Sequence, residues 1–442
     1  MTPARPGEKG FSTSLINLIL LPREKVGSAS ARIACMAGSN LSARVQALPG
    51  DPIFGVVERF KADPRPNKVN LAQGVYMDES GSTPILGTVR EAERRLLASS
   101  TTKVYKPIAG DPRYLEVMRA LLFRPAGALW GELEPAVSGR VEMVQTPGGT
   151  GAIRLAVELV THLRPEAEIW ISEPTWPNHR QIVDESGAVA RQHTWLSADG
   201  ARLDIEGLLA AIDAARPGDA MILHASCHNP TGIDPTPAQW SEIAAHATAR
   251  GILPIIDFAY QGFGDGLVED AAAVRAFLQV GGEFLVASSG SKNFALYDER
   301  IGALAIVGAD ASAATTLLSH VKALVRTAWS NPPAHGGEII VEILSDPKLR
   351  AEWELEVTAM RTRIADNRAA LVAALAAAGA GDWSHLANGR GMFALLNLDD
   401  AQIARLRDDH AVYVVALGRL NVAGLTSTNI PVVAKAIAAV VA

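Results

Sequence analysis

Cysteine is almost missing from this chain. Cys35 and Cys227 are the only two in 442 residues, so no disulfide framework holds it together, and a reducing, cytoplasmic setting suits it best. Long apolar runs are missing too: stretches such as Leu18 to Leu21 fall far short of the ~18 residues that a membrane span needs. Neither sign of charge dominates, and the net charge of −6 gives no reason to expect nucleic acid or an anionic membrane as partner. Small anionic ligands remain open, because local basic residues bind those. Repeats and low-complexity tracts are lacking beyond Ala-rich helical stretches such as Ala369 to Ala380. What is present is an ordinary globular mix, 48% apolar and 20% charged, long enough for one large domain and a smaller one.

The first 35 residues resemble nothing that follows. They mix Arg, Ser and Gly, and the apolar patch Phe11 to Leu21 is only weakly periodic. Glu8, Glu24 and the poor amphipathic pattern count against a targeting peptide. Residues 1–45 are expected to be a disordered extension, which a start site upstream of Met36 would explain.

From Leu155 to Val307 short apolar runs alternate with helical patterns. The runs are Ile169 to Ile171, Ala220 to Leu223, Ile252 to Ile256, Phe284 to Ala287 and Ala303 to Val307; helical patterns such as Leu203 to Ala215 and Ala238 to Arg250 lie between them. This alternation predicts an α/β fold with a mostly parallel, doubly wound sheet, whose ligands bind beyond the carboxyl ends of the strands. A long helical pattern from Leu349 to Ala378 leads into a mixed tail that ends in a helix from Val432 to Val441. Residues 46–83, with the irregular segment Lys68 to Ser82, and residues 346–442 are expected to form a smaller α/β domain from both chain ends, and residues 84–345 the large one.

Four stations carry candidate chemistry. In Ser288-Ser289-Gly290-Ser291-Lys292, three hydroxyls and a glycine crowd one lysine at a strand end, with Arg300 following. Alone, such a loop reads first as a solvated one; its functional reading is a phosphate cup with a nucleophilic amine and a forked cation. Asp257 follows the apolar run Ile255-Ile256, and a carboxylate there needs a cationic or donor partner. An ion pair or helix cap would serve, and so would a pyridinium nitrogen, which the charge would keep protonated. His228-Asn229-Pro230-Thr231-Gly232 is at least a turn. Thr146-Pro147-Gly148-Gly149-Thr150-Gly151 leads into a helix expected near Ala152, whose amides could take an anion.

In this order the four stations resemble the aspartate and aromatic amino acid aminotransferase family, the class I branch of the fold type I pyridoxal enzymes. The resemblance runs from about Asp51 to Ala442. It includes Asp51-Pro52-Ile53-Phe54, Val69 to Asp78, Tyr105 to Gly110, Glu173 to His179, Ser291 to Gly302, Ser330 to Gly336 and Gly418 to Thr426.

The resemblance implies pyridoxal phosphate as cofactor and Lys292 as the Schiff-base lysine and proton shuttle. It implies Asp257 as the partner of the ring nitrogen, with His179 behind it. Tyr260 and Asn229 would hydrogen-bond the ring oxygen, and Trp176 would stack on the ring face. Gly149, Thr150, Ser289, Ser291 and Arg300 are similar to the family's phosphate ligands, joined by Tyr105 from the other subunit of a homodimer. Arg419 resembles the fork for the substrate α-carboxylate, and Gly74 would offer its backbone at the same end. Arg326, also from the partner, resembles the clamp for a distal carboxylate. No metal is expected. His224 and His228 are read as packing beside the site without chemical duty, Cys227 as a small buried residue, Met392 and Phe393 as core near the substrate face, and Arg390 as needing no contact with ligand.

The implied reaction is ping-pong transfer of an amino group from an L-amino acid, aromatic or aspartate, to 2-oxoglutarate. Ser330-Asn331 resembles the aspartate-preferring pattern, whereas Val104 and Phe54 suit an aromatic donor. Gln73 departs from the branched apolar residue common before the glycine, and Gly290 and Ala295 depart around the lysine loop. A decarboxylase or lyase on the same fold is opposed by Arg326. A non-catalytic regulator is opposed by the presence of Lys292 and Asp257.

Overall fold

The computed structural model describes residues 54–442. The expected extension before residue 46, the motif positions 51–53 and the Phe54 side chain lie outside the described residues. The strands, in chain order, are β1 (Val69–Asn70), β2 (Val141–Pro147), β3 (Glu168–Glu173), β4 (Val189–Thr194), β5 (Ala220–His224), β6 (Leu253–Phe258), β7 (Phe284–Ser289), β8 (Ile301–Val307), β9 (Phe393–Leu395), β10 (Val412–Tyr413) and β11 (Arg419–Asn421). Seven of them make one sheet in the order β2-β8-β7-β6-β5-β3-β4. All seven are parallel except β8, which runs antiparallel to both β2 and β7.

The expected mostly parallel α/β sheet is therefore present, with one difference inside the predicted run of parallel strands. The run Ala303 to Val307 is reversed because no helix separates it from β7. A parallel return needs a long crossover, and the short stretch between Ser289 and Ile301 only turns the chain back. The reversal has a use: β8 begins at the end where its neighbours finish, which delivers Arg300 there.

Strands β5, β7 and β8 are buried along their whole length, as strands covered on both faces must be. Alternate residues feed two apolar layers. Met221, Leu223, Ile256 and Val286 enter one, and Ala220, Ile222, Ile255 and Leu285 the other. The helix Gly148–Leu163 packs on β7 and β8. It starts four residues before the expected Ala152, because the glycine turn itself forms its first turn.

Segments from early and late in the described residues form two small sheets of their own. β1 pairs with β10 in parallel, and β9 pairs with β11 antiparallel. The helix Pro347–Ala377, capped by Asp346 on Lys348 and Leu349, packs on the C-terminal helix Ile430–Val441. Among the described residues no helix is long and apolar enough to cross a membrane.

Candidate active site

The carboxyl ends of β3, β5, β6 and β7 and the start of β8 open on one cavity of about 640 Å³. Twelve of the candidate residues line it: Gly74, Gly149, Thr150, Trp176, Asn229, Asp257, Tyr260, Ser289, Ser291, Lys292, Arg300 and Arg419. Strand ends supply them because a strand's last residue is the first free of the ladder and its backbone is still fixed by it.

Lys292 packs its stem and points its amine at the cavity, where Nζ donates to the Gly74 carbonyl at 2.5 Å. It also lies 4.8 Å from the centre of the Tyr297 ring. Burial, with Arg419 and Arg300 nearby, pushes its amine down to about 7. A lysine so placed is substantially neutral, hence nucleophilic, near neutral pH.

Asp257 is buried and accepts from His179 Nε2 at 2.9 Å. Thr175 Oγ1 in turn lies 2.9 Å from His179 Nδ1. Burial alone pushes the Asp257 carboxyl up, but the His179 contact, together with His224 and the Ala259 amide, holds the group below the usual carboxylate range. Asp257 is the one carboxylate on the cavity wall among the described residues. A cation or a protonated ring nitrogen in the cavity would find its counter-charge only here.

Asn229 Nδ2 donates to Tyr260 Oη at 3.3 Å, and burial pushes the Tyr260 phenol up, keeping it protonated. Arg419 is buried; its Nη2 donates to the Ala72 carbonyl at 2.6 Å and its Nη1 lies 3.4 Å from Asn229 Oδ1. Its guanidinium stacks on Phe393, 4.5 Å from the ring centre. Its Nε is buried with no partner among the described residues, a donor left for an anion.

At the other end, the Ser289 and Ser291 hydroxyls, Thr150, the first turn of the helix Gly148–Leu163 and Arg300 converge. Arg300 Nη1 donates to the Tyr297 carbonyl at 3.0 Å and lies 3.5 Å from Ser291 Oγ. Gly148 has φ +73°, and a Cβ there would sit 2.7 Å from Arg300 Nη2, so only glycine leaves the guanidinium its place. Hydroxyls, a guanidinium and a helix start, with no carboxylate among them, are the donor set of a dianionic phosphate. Taken with the buried lysine and the single acid on the cavity wall, which could pair with a protonated ring nitrogen, the residues present fit pyridoxal phosphate.

Tyr105 and Arg326 do not line this cavity. Tyr105 is 89% exposed and Val104 73%. Arg326, near the end of the helix Ala311–Ala328, is exposed and donates to Ser330 Oγ. Asn331 Nδ2 donates to the Lys106 carbonyl at 2.7 Å.

The expectations for the flanking residues are met unevenly. His228 lies 3.0 Å from Ser172 Oγ and 2.9 Å from Thr231 Oγ1 and stacks on Trp195, off the cavity. His224, expected only to pack, lines the cavity beside His179; burial and His179 push it down to about 3, so it stays neutral. Cys227 and Met392 are buried. Phe393, read as core near the substrate face, is buried and forms cavity wall. Arg390 pairs with Asp265 at 2.8 Å, outside the cavity.

Sequence reasoning missed Tyr297. Its hydroxyl accepts from Tyr76 N at 2.8 Å while its ring lies against Lys292. Its place between Lys292 and Arg300 was the only available signal. Val57, Val75, Asn178 and Gln181 were also missed; Val75 and Asn178 lie inside the matching stretches Val69 to Asp78 and Glu173 to His179, while nothing in the local pattern marked Val57 or Gln181.

A model of the family "Aminotransferase class I and II" matches residues 66–437. The chain is 45% identical over 397 residues to an aspartate aminotransferase of Salmonella typhi, covering 90% of this chain and 99% of that one. It is also 45% identical, over 401 residues and the same shares, to an aromatic-amino-acid aminotransferase of Pseudomonas aeruginosa. Among solved structures, the aromatic-amino-acid aminotransferase from Burkholderia pseudomallei, covalently bound to pyridoxal phosphate, is similar with a TM-score of 0.87 and 42% identity. That match covers 91% of this chain and 100% of the other.

Proposed function

This chain belongs to the class I and II aminotransferases, and from that premise we propose that it exchanges amino groups between aspartate or aromatic L-amino acids and 2-oxoglutarate. The reaction is a pyridoxal-phosphate-dependent transamination. The observation that carries the reading is the shared cavity, in which a lysine amine pushed down to about 7, the buried Asp257 and the buried Arg419 face one space with a phosphate donor set at its end.

When bound, pyridoxal phosphate supplies an electron-withdrawing ring that stabilises negative charge at the substrate α-carbon. Lys292 would hold it, and the Lys292 amine would move the proton at the substrate α-carbon. Asp257, with His179 donating to it, would pair with the ring nitrogen. Tyr260 and Asn229 would hydrogen-bond the ring oxygen, and Trp176 would cover the ring face. Gly149, Thr150, Ser289, Ser291 and Arg300 would hold the phosphate. Arg419 takes the α-carboxylate with its unpartnered edge, and Gly74 leaves room beside it, since a Cβ there would lie 2.9 Å from Phe393 Cζ. Release of one product before entry of the second substrate gives ping-pong kinetics.

The working unit is a homodimer in the cytoplasm. The exposure of Tyr105 and Arg326, outside the cavity of their own chain, supports their service in a neighbour's site. Of the described residues, 54–83 with 346–442 form the smaller domain and 84–345 the larger; the pairing of β1 with β10 supports this division. A donor-by-acceptor panel on purified protein tests the function. Yellow protein that converts aspartate, phenylalanine and tyrosine with 2-oxoglutarate is the expected result. Protein that takes up no pyridoxal phosphate at saturation would sink it.

A further inference from the structure

Gln73 stands between the two anchors of the site. The carbonyl before it, Ala72, accepts from Arg419, and the carbonyl after it, Gly74, accepts from Lys292. Its own carbonyl accepts from Asn421 Nδ2 at 2.8 Å and from Val75 N at 3.0 Å, so three successive carbonyls are held. Among the described residues its hydrogen bonds all run through the backbone, while the half-buried side chain lines the cavity. The other described residues before residue 84 on this wall are Val57, Gly74 and Val75, none with a polar side chain.

We propose that Gln73 is a specificity-determining residue whose carboxamide recognises an uncharged hydrogen-bonding group on the amino donor, the chemistry of a phenol, an imidazole or a carboxamide. The inference rests on the reading above, in which Arg419 takes the α-carboxylate and Lys292 works at the α-carbon. A substrate held by those two groups sends its side chain past the residue between them. The amide there offers two donors and one acceptor and carries no charge. A donor with a matching neutral group replaces the water that Gln73 loses. An apolar donor of the same shape leaves the amide unsatisfied, and that asymmetry is the source of discrimination.

The test uses the pyridoxal-phosphate-loaded enzyme with Gln73, Gln73→Val and Gln73→Met, the last keeping side-chain length without the amide. Two matched donor pairs are compared by kcat/KM with 2-oxoglutarate, tyrosine against phenylalanine and glutamine against leucine. Calorimetry then compares two unreactive acids, 3-(4-hydroxyphenyl)propionate against 3-phenylpropionate. The native enzyme should favour the hydrogen-bonding member of at least one donor pair by about threefold to tenfold, the worth of one net hydrogen bond. Both variants should bring that ratio close to one, chiefly through KM, with the same collapse in calorimetry. Equal ratios in native enzyme and both variants would overturn the proposal. Failure of the underlying function looks different: no cofactor retained, or no turnover with any donor, whatever stands at position 73.

Discussion

His179 Nε2 and Asp257 Oδ2 lie 2.9 Å apart, both side chains buried, although His179 comes from the helix Pro177–Glu185 and Asp257 from the end of β6. The contact decides a charge. Without it, burial would drive Asp257 toward its neutral form; with it, the carboxyl sits below its ordinary range. A depressed carboxyl is ionised above that range and loses its charge only as pH falls through the lowered value.

The first prediction follows from that sign. His179→Phe removes the donor and leaves burial unopposed, so the Asp257 carboxyl rises and its charge is lost at higher pH. The acid limb of the kcat–pH profile should move upward, and kcat at neutral pH should fall about tenfold to a hundredfold, the usual worth of a hydrogen bond to a charged group. An unmoved limb would show that His179 does not set the charge of Asp257.

Lys292 gives a second pH dependence, of opposite chemistry. Its amine is pushed down to about 7, so it is protonated and inert below that value and neutral above it. Cofactor-free protein should capture pyridoxal phosphate with a rate that climbs with pH and reaches half its plateau near 7, followed by stopped-flow absorbance. A half-point near that of an ordinary lysine, about 10.4, would contradict the electrostatics of this cavity. Lys292→Ala should abolish turnover.

The two arginines should fail in different ways. Every amino acid has an α-carboxylate, so Arg419→Leu should lower kcat/KM for aspartate and phenylalanine alike, by about 2–5 kcal/mol of lost charge pairing. Only dicarboxylates have a distal group, so Arg326→Leu should impair aspartate and glutamate far more than phenylalanine. Equal losses across donors for Arg326→Leu would remove it from the side-chain clamp.

Subunit exchange tests whether sites are shared. Lys292→Ala homodimers lack the amine, and Arg326→Leu homodimers lack the clamp. In the mixed dimer one site has its own Lys292 and receives an intact arginine from its neighbour, while the other carries both defects. Aspartate turnover should return to about half the native value per dimer. Verified exchange with no recovered activity would place both residues in the same site of one chain.

The large sheet was legible in the sequence because its strands are nearly unbroken apolar runs, and Ala220 to Leu223 or Phe284 to Ala287 could be little else. β4 was not, because Val189 to Thr194 lies at the sheet edge and exposes most of its side chains, which leaves no apolar run to read. β2 was overlooked despite its burial, since Glu142, Gln145 and Thr146 interrupt its run. The site was legible where chemistry needs rare local patterns, as at Ser289-Gly290-Ser291-Lys292. It was illegible where the fold brings in a residue whose type carries no signature. Val57 reaches the cavity from a helix near the start of the described residues, Gln181 from one turn beyond Trp176 on a helix whose polar face carries no signature, and Tyr297 was hidden by standing beside the more conspicuous Arg300.

The segment from Ala72 to Tyr76 has almost no secondary structure of its own. Arg419 holds the first carbonyl, Lys292 the third, Asn421 the second and fourth, and Tyr297 accepts from the last amide. Two of those ties belong to groups that ligands need, so a ligand that draws on Arg419 or Lys292 acts on groups that also hold this stretch of chain. The linkage runs both ways with equal free energy. Asn421 lies off the cavity wall yet grips the same stretch, and a change there would alter how tightly a carboxylate binds without ever meeting it.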